Sequence, residues 1–179
     1  MKKGFTLLEA LVVVAIIGIL ASLSMYVFTQ ARRAARDTIR KSDLTSLSIA
    51  FRARHDVKTC DDLSDIGYYP GRPIFGGNLS QWLPVTDLTN NVNDCGAFSE
   101  FMTTIPTDPT QGATHPYVFN LSQQPPTGVI KAKHFRITAR LEKTSSSQEL
   151  DDFARMSTIW VSTYGGVSYP EGYNFVIGD

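Results

Sequence analysis

Residues 5–28 are apolar at almost every position, and the segment that follows repeats its apolar residues at helical spacing. At about 1.5 Å per residue the first run spans roughly 36 Å as a helix, enough to cross a bilayer with some tilt. Residues 29–55 contain no Gly or Pro and many alanines. Leu44, Leu47 and Phe51 there fall at i, i+3 and i+7, with Ile39 and Ala50 widening the stripe. The pattern predicts one continuous helix over residues 5–55, roughly 75 Å long, with a bare first half and an amphipathic second half laid across a head. Gly18 is the only flexible point in the first half and no proline interrupts it, so a straight helix is expected.

Beyond Val57 the chain turns rich in Gly, Pro, Asp and Asn, which predicts a long loop over residues 59–78. Phe98, Phe101, Met102 and Ile105 then give one buried face of a two-turn helix stopped by Pro106. Strands are predicted at 117–121, 130–141, 158–164 and 173–177, with Gly165 and Gly166 inviting a tight hairpin. The fold class is therefore α+β: a long N-terminal helix whose C-terminal half packs on a small antiparallel sheet of three or four strands. Ser145, Ser146 and Ser147 mark an exposed connection, with no sign of a second domain.

Of 179 residues, the long helix leaves about 120 for one modest head. Lys plus Arg and Asp plus Glu are equal at 17 each, so no net charge points to nucleic acid or an anionic surface. Charge is still uneven. Arg32, Arg33, Arg36, Arg40 and Lys41 follow the apolar run, with Asp37 and Asp43 interleaved. The plainest reading is a solvated helix face laced by i,i+4 pairs such as Asp37 with Lys41, each worth a few tenths of a kcal/mol. A basic cluster beside a membrane span can bind headgroups, but this one would lie on the translocated side; pairing between subunits and DNA capture are the other uses.

Glu9 is out of place in this pattern. An ionised carboxylate in hydrocarbon costs several kcal/mol unless it is paired, so a free-standing anchor gains nothing from it. A cut between Gly4 and Phe5 would create an α-amine four residues from Glu9. Lys2, Lys3, Gly4, Phe5, Thr6, Leu7, Leu8 and Glu9, followed by the apolar helix, resemble the leader of the type IV pilin superfamily, pilins and the pseudopilins of type II secretion together. A Sec signal would end in a small-x-small site, which Ala21 with Leu23 does not supply.

The resemblance implies that prepilin peptidase cuts after Gly4 and methylates Phe5, and that Glu9 pairs with the Phe5 amine of a neighbouring subunit. Residues 1–4 would be the leader, 5–28 the transmembrane and filament-core helix, 29–56 its amphipathic continuation and 57–179 the head. The implied partners are identical subunits, minor pilins, the peptidase, an inner-membrane assembly platform, and membrane lipid before assembly; nucleic acid is not indicated. The precursor would sit in the cytoplasmic membrane with its head outside, held by Lys2 and Lys3 on the cytoplasmic side, and end in an extracellular pilus or a periplasmic pseudopilus. Motility, adhesion and DNA uptake are roles of such filaments that the sequence does not separate; the alternatives to a pilus subunit are a secretion pseudopilin and a membrane-tethered binding domain that never polymerises. A second likeness lies in Ile105, Pro106, Thr107, Asp108 and Pro109 followed by Pro116 and Tyr117, similar to the Pro-x-Asp-Pro segment ahead of the sheet in pseudopilins. The tryptophan and glycine common after it there are missing.

Cys60 and Cys95 are the only cysteines. With the chain so oriented both lie outside the cytoplasm, where an even pair is expected to form one disulfide. His55, His115 and His134 are isolated, and no H-E-x-x-H, C-x-x-C or G-x-S-x-G pattern occurs, so no enzyme activity, cofactor or metal is expected. The carboxylates Asp61, Asp62 and Asp65, and Glu149 with Asp151 and Asp152, lack the alternating spacing of a calcium loop and are read as solvated turn residues.

Overall fold

A computed structural model of the chain describes residues 6–57, 82–90, 98–110, 114–121, 134–143, 146–163 and 168–178. The long helix is present as one 51-residue element, α1 (Leu7–Val57). Contacts divide the chain into two compact units, Met1–Arg36 and Asp37–Asp179, and α1 contributes to both. In the first unit its large apolar side chains are exposed all round, Leu7, Leu11, Ile16, Leu20 and Met25 among them. A helix apolar on every face is at home in lipid or in a bundle of helices, not in water.

In the second unit Leu44, Leu47 and Phe51 are fully buried, as their spacing predicts, and Ala50 joins them. Ile39 does not: it is 48% exposed. Five residues before Leu44, it lies about 140° round the helix and outside the buried stripe.

The buried stripe packs on a four-stranded antiparallel sheet in the order β1 (Leu83–Pro84), β2 (Val118–Leu121), β3 (Phe135–Ala139), β4 (Phe175–Gly178). Register pairs Leu83 with Phe119, Phe119 with Ile137, and Ile137 with Ile177. Strand alternation therefore sends Phe119, Leu121, Phe135, Ile137 and Ala139 to one face, where they form one core with Leu44, Leu47 and Phe51. The Phe51 ring is central to it, with centroids 5.1 Å from Phe98, 5.6 Å from Phe119 and 5.1 Å from Phe135. At the sheet's edge Gly178 runs so close to β3 that a Cβ there would sit 2.4 Å from the Phe135 carbonyl oxygen. Only glycine fits.

The opposite face is covered as well. Arg136 projects from it, fully buried, with its guanidinium carbon 4.5 Å from the Trp82 and Trp160 ring centroids and 4.7 Å from that of Tyr169. Burial lowers the Arg136 pKa, while Tyr169 opposes the shift. Aromatic faces attract a desolvated cation, so this second layer keeps a charge in the interior. Phe153 stacks on Tyr169 at 4.0 Å, and Trp82 Nε1 donates to the Ser168 carbonyl at 2.8 Å.

Several expectations are corrected here. The strand expected at 158–164 is the end of a helix, α2 (Ser147–Thr163), so it forms no hairpin with β4. The β-branched Thr158 and Ile159 suggest a strand locally, but Phe153, Met156 and Trp160 at i, i+3 and i+7 make a helical stripe that covers Arg136 and Tyr169. The two-turn helix expected from Phe98 is a single 3₁₀ turn, Phe98–Glu100; Phe98 alone of its stripe is fully buried, and one turn suffices to place it. Strand β1 and the 3₁₀ turn Val85–Asn90 were not expected at all. Gly165, Gly166 and the loop at 59–78 lie outside the described residues.

Candidate functional site

Thr6 and Glu9 close the start of α1 on themselves. The Thr6 backbone N–H donates to Glu9 Oε2 at 2.9 Å and the Thr6 hydroxyl donates to the same oxygen at 2.8 Å. The Glu9 N–H donates in return to Thr6 Oγ1 at 3.3 Å. This is a reciprocal capping box, and it satisfies donors that a helix start otherwise leaves open. The spacing Thr-x-x-Glu carries that information in the sequence. Glu9 thus has a partner within its own chain. Two hydrogen bonds fall on one carboxylate oxygen, and a carboxylate can accept about four. Gly4 and Phe5 lie outside the described residues, as do Cys60 and Cys95.

The basic cluster divides into two parts with different tasks. Arg40 is fully buried, and its guanidinium donates to Asp108 Oδ2 at 2.6 Å, Asp37 Oδ1 at 2.7 Å, Glu142 Oε1 at 2.9 Å and Thr110 Oγ1 at 2.7 Å. Burial disfavours its charge, but the hydrogen bonds to Asp108, Asp37 and Glu142 outweigh that and raise its pKa. Asp37 also accepts from the backbone N–H groups of Glu142 and Lys143, each at 2.9 Å. The expected Asp37–Lys41 pair on a solvated face is therefore replaced. Asp37 turns inward to Arg40, while Lys41 reaches Glu149 at the start of α2.

This arrangement ties three separate stretches to α1: the turn carrying Asp108, the connection carrying Glu142, and the first turn of α2. Neighbouring Asp43 accepts from the Tyr117 hydroxyl at 2.8 Å. The Pro-x-Asp-Pro segment thus supplies a buried carboxylate anchored on a helix arginine, a role that no local motif announces. Among the described residues no group of three His, Cys, Asp or Glu side chains is placed to hold a metal ion. In the Arg40 cluster the cation is the arginine itself. Arg32 and Arg33, by contrast, are exposed.

Comparison with known proteins bears on the start of the chain. A family model, the prokaryotic N-terminal methylation motif, matches residues 1–25. No curated protein and no solved structure matches the chain. The motif is typical of type IV pilins and pseudopilins, a structural class whose members are processed by prepilin peptidase and polymerise into filaments. Among the described residues one helix, beginning at Leu7, is long and apolar enough to cross a membrane, which together with the motif suits a membrane-anchored precursor.

Proposed function

We propose that the chain is the structural subunit of a type IV pilus-like filament, cut between Gly4 and Phe5, methylated on Phe5, and polymerised through α1 with Glu9 paired to the Phe5 amine of a neighbour. The observation that carries this reading is a lone carboxylate at the start of a helix that has no further charge until Arg32. Such a group needs a reason to be there. The Thr6–Glu9 capping box supports the reading in two ways. Thr6 would be the second residue of the cut chain, so the box survives processing and shields Glu9 while the subunit waits in lipid. It also leaves acceptor capacity for an incoming ammonium.

At about 4 Å and an effective dielectric near 20, such a pair attracts by roughly 4 kcal/mol. Any other axial offset would leave both ions unpaired in an apolar bundle, so the pair sets the stagger between subunits as well as adding cohesion. Close packing along residues 11–20 supplies the rest, because leaving lipid for protein gives little hydrophobic gain. Glu9→Ala should be processed and inserted normally yet incorporate poorly, with Glu9→Gln less severe. Sheared filament yield against membrane-retained subunit measures this. A wild-type yield from Glu9→Ala would give the carboxylate some other task.

A further inference from the structure

His115 and Arg140 meet at a part-buried contact on the head, the guanidinium Nη1 lying 2.6 Å from the imidazole Nε2. Arginine has no acceptor, so Nε2 accepts, and the proton of the neutral imidazole is then on Nδ1. That nitrogen is buried and has no hydrogen-bond partner among the described residues. The contact therefore exists for one tautomer of one charge state.

The same pair holds a turn in place. Arg140 follows β3, and its guanidinium lies against Gly172, where φ is +84° and an added Cβ would come 3.5 Å from Arg140 Cζ. The Tyr173 hydroxyl donates to the carbonyl of Pro116, the residue after His115, at 2.6 Å, and its ring centroid is 6.4 Å from that of the imidazole. The Tyr173 N–H donates to the Pro170 carbonyl and the Asn174 N–H to the Ala139 carbonyl, each at 3.3 Å. Residues 114–117, the end of β3 and the turn leading into β4 thus converge on the His115–Arg140 contact.

We propose that this contact is a proton-operated latch on the turn Pro170–Tyr173, closed while His115 is neutral and opened when its imidazole takes a second proton. Imidazole is the side chain whose charge changes between about pH 5 and 8. The imidazolium has two donors and no acceptor, and it would face a permanent cation at contact distance. Carboxylates on the neighbouring elements are committed elsewhere: Asp108 and Glu142 bond Arg40, and Asp43 takes the Tyr117 hydroxyl. Glu171, in the turn itself, is exposed, where water screens its charge. Burial first, and Asp108 second, raise the Tyr173 pKa against the effect of Arg140, so Tyr173 stays a neutral donor to Pro116 across this range. Acid thus drives the two cations apart and frees the turn from its arginine. The latch does not depend on how the chain assembles.

Hydrogen exchange of the full chain in mild detergent, corrected for the intrinsic effect of pH on exchange, reads the latch through the Tyr173 and Asn174 amides at about pH 8 and about pH 5.5. A hydrogen bond to a charged group is worth roughly tenfold or more in an opening equilibrium, so protection of these two amides should fall by about that factor in acid. The amides of β2 and β3 should keep theirs. His115→Gln, whose side-chain oxygen can accept from Arg140 at either pH, should hold the turn closed at both. Arg140→Gln removes the opposing charge, so its turn should show no acid step whatever its starting protection. Equal protection of the wild type at both pH values overturns the latch, and so does an acid loss that persists in either variant. A loss shared by β2 and β3 also overturns it, because acid would then be loosening the whole head.

Discussion

Glu149 uses both carboxylate oxygens: Oε1 takes the Lys41 ammonium, and Oε2 takes the Ser146 N–H at 2.8 Å and its hydroxyl at 3.1 Å. The Lys41 hydrogen bond first, and the Ser146 N–H second, lower its pKa below the ordinary glutamate value of 4.5. A folded-state pKa below the unfolded one gives stability that is complete above the unfolded value and is lost as pH falls through the folded one. Asp43 works in the other direction. Burial raises its pKa, the Tyr117 hydroxyl opposes this and Asp108 adds to it, so folding favours its protonated form and the head gains from Asp43 as pH falls. Melting of the detergent-solubilised chain should therefore show an acid-side loss below about pH 4.5 that is shallower in Glu149→Gln than in wild type. Identical acid slopes would mean that the Lys41–Glu149 contact adds no pH-dependent stability. Arg40 does not enter this window, because its raised pKa keeps it charged at every pH where the head is folded.

The elements that flank the two cysteines meet in one core, and this bears on whether the cysteines are bridged. Cys60 follows the last residue of α1 by three positions and Cys95 precedes Phe98 by three, while the Phe51 and Phe98 rings are 5.1 Å apart. Non-reducing peptide mapping should recover Cys60 and Cys95 in one linked fragment. Closing a loop of this length is worth roughly 3 to 4 kcal/mol in the chain-entropy picture, so Cys60→Ser should lower head stability by about that amount. Free thiols in protein taken from the cell surface would refute the bridge. At this scale α1 and the strands β2, β3 and β4 were legible because each carries its own period: Leu44, Leu47 and Phe51 for the helix, Phe135, Ile137 and Ala139 for the strand. Helix α2 was misread although Ser146 and Glu149 spell the same capping box as Thr6 and Glu9. Its β-branched residues outweighed that signal. Strand β1 has two residues, too few for any period. The Arg40 cluster left no local trace, since its partners Asp108 and Glu142 lie 68 and 102 positions away. A residue in a run of basic side chains reads as solvated until the fold brings carboxylates to it.

For the whole molecule, the question is where the mature chain begins. The chain balances 17 basic against 17 acidic side chains, and loss of Lys2 and Lys3 under the proposed cut would leave 15 against 17, still close to neutral. Under the proposed cut the only charge gained would be the new ammonium of Phe5. The helix begins at Leu7 with Thr6 as its cap, so the bond between Gly4 and Phe5 precedes the first residue of α1 in the sequence. A cut near Ala21 would have to open the middle of α1 and would remove the capping box with it. Cleavage at the first position keeps the whole apolar helix on the head, and cleavage at the second releases a head with almost no anchor. Intact mass of the mature protein should thus correspond to a chain starting at Phe5, with one methyl group added to its amine. A chain starting at Met1 would deprive Glu9 of the Phe5 amine and make the protein a simple tether, and one starting near Ala21 would make it a secreted head; either mass would end the filament reading.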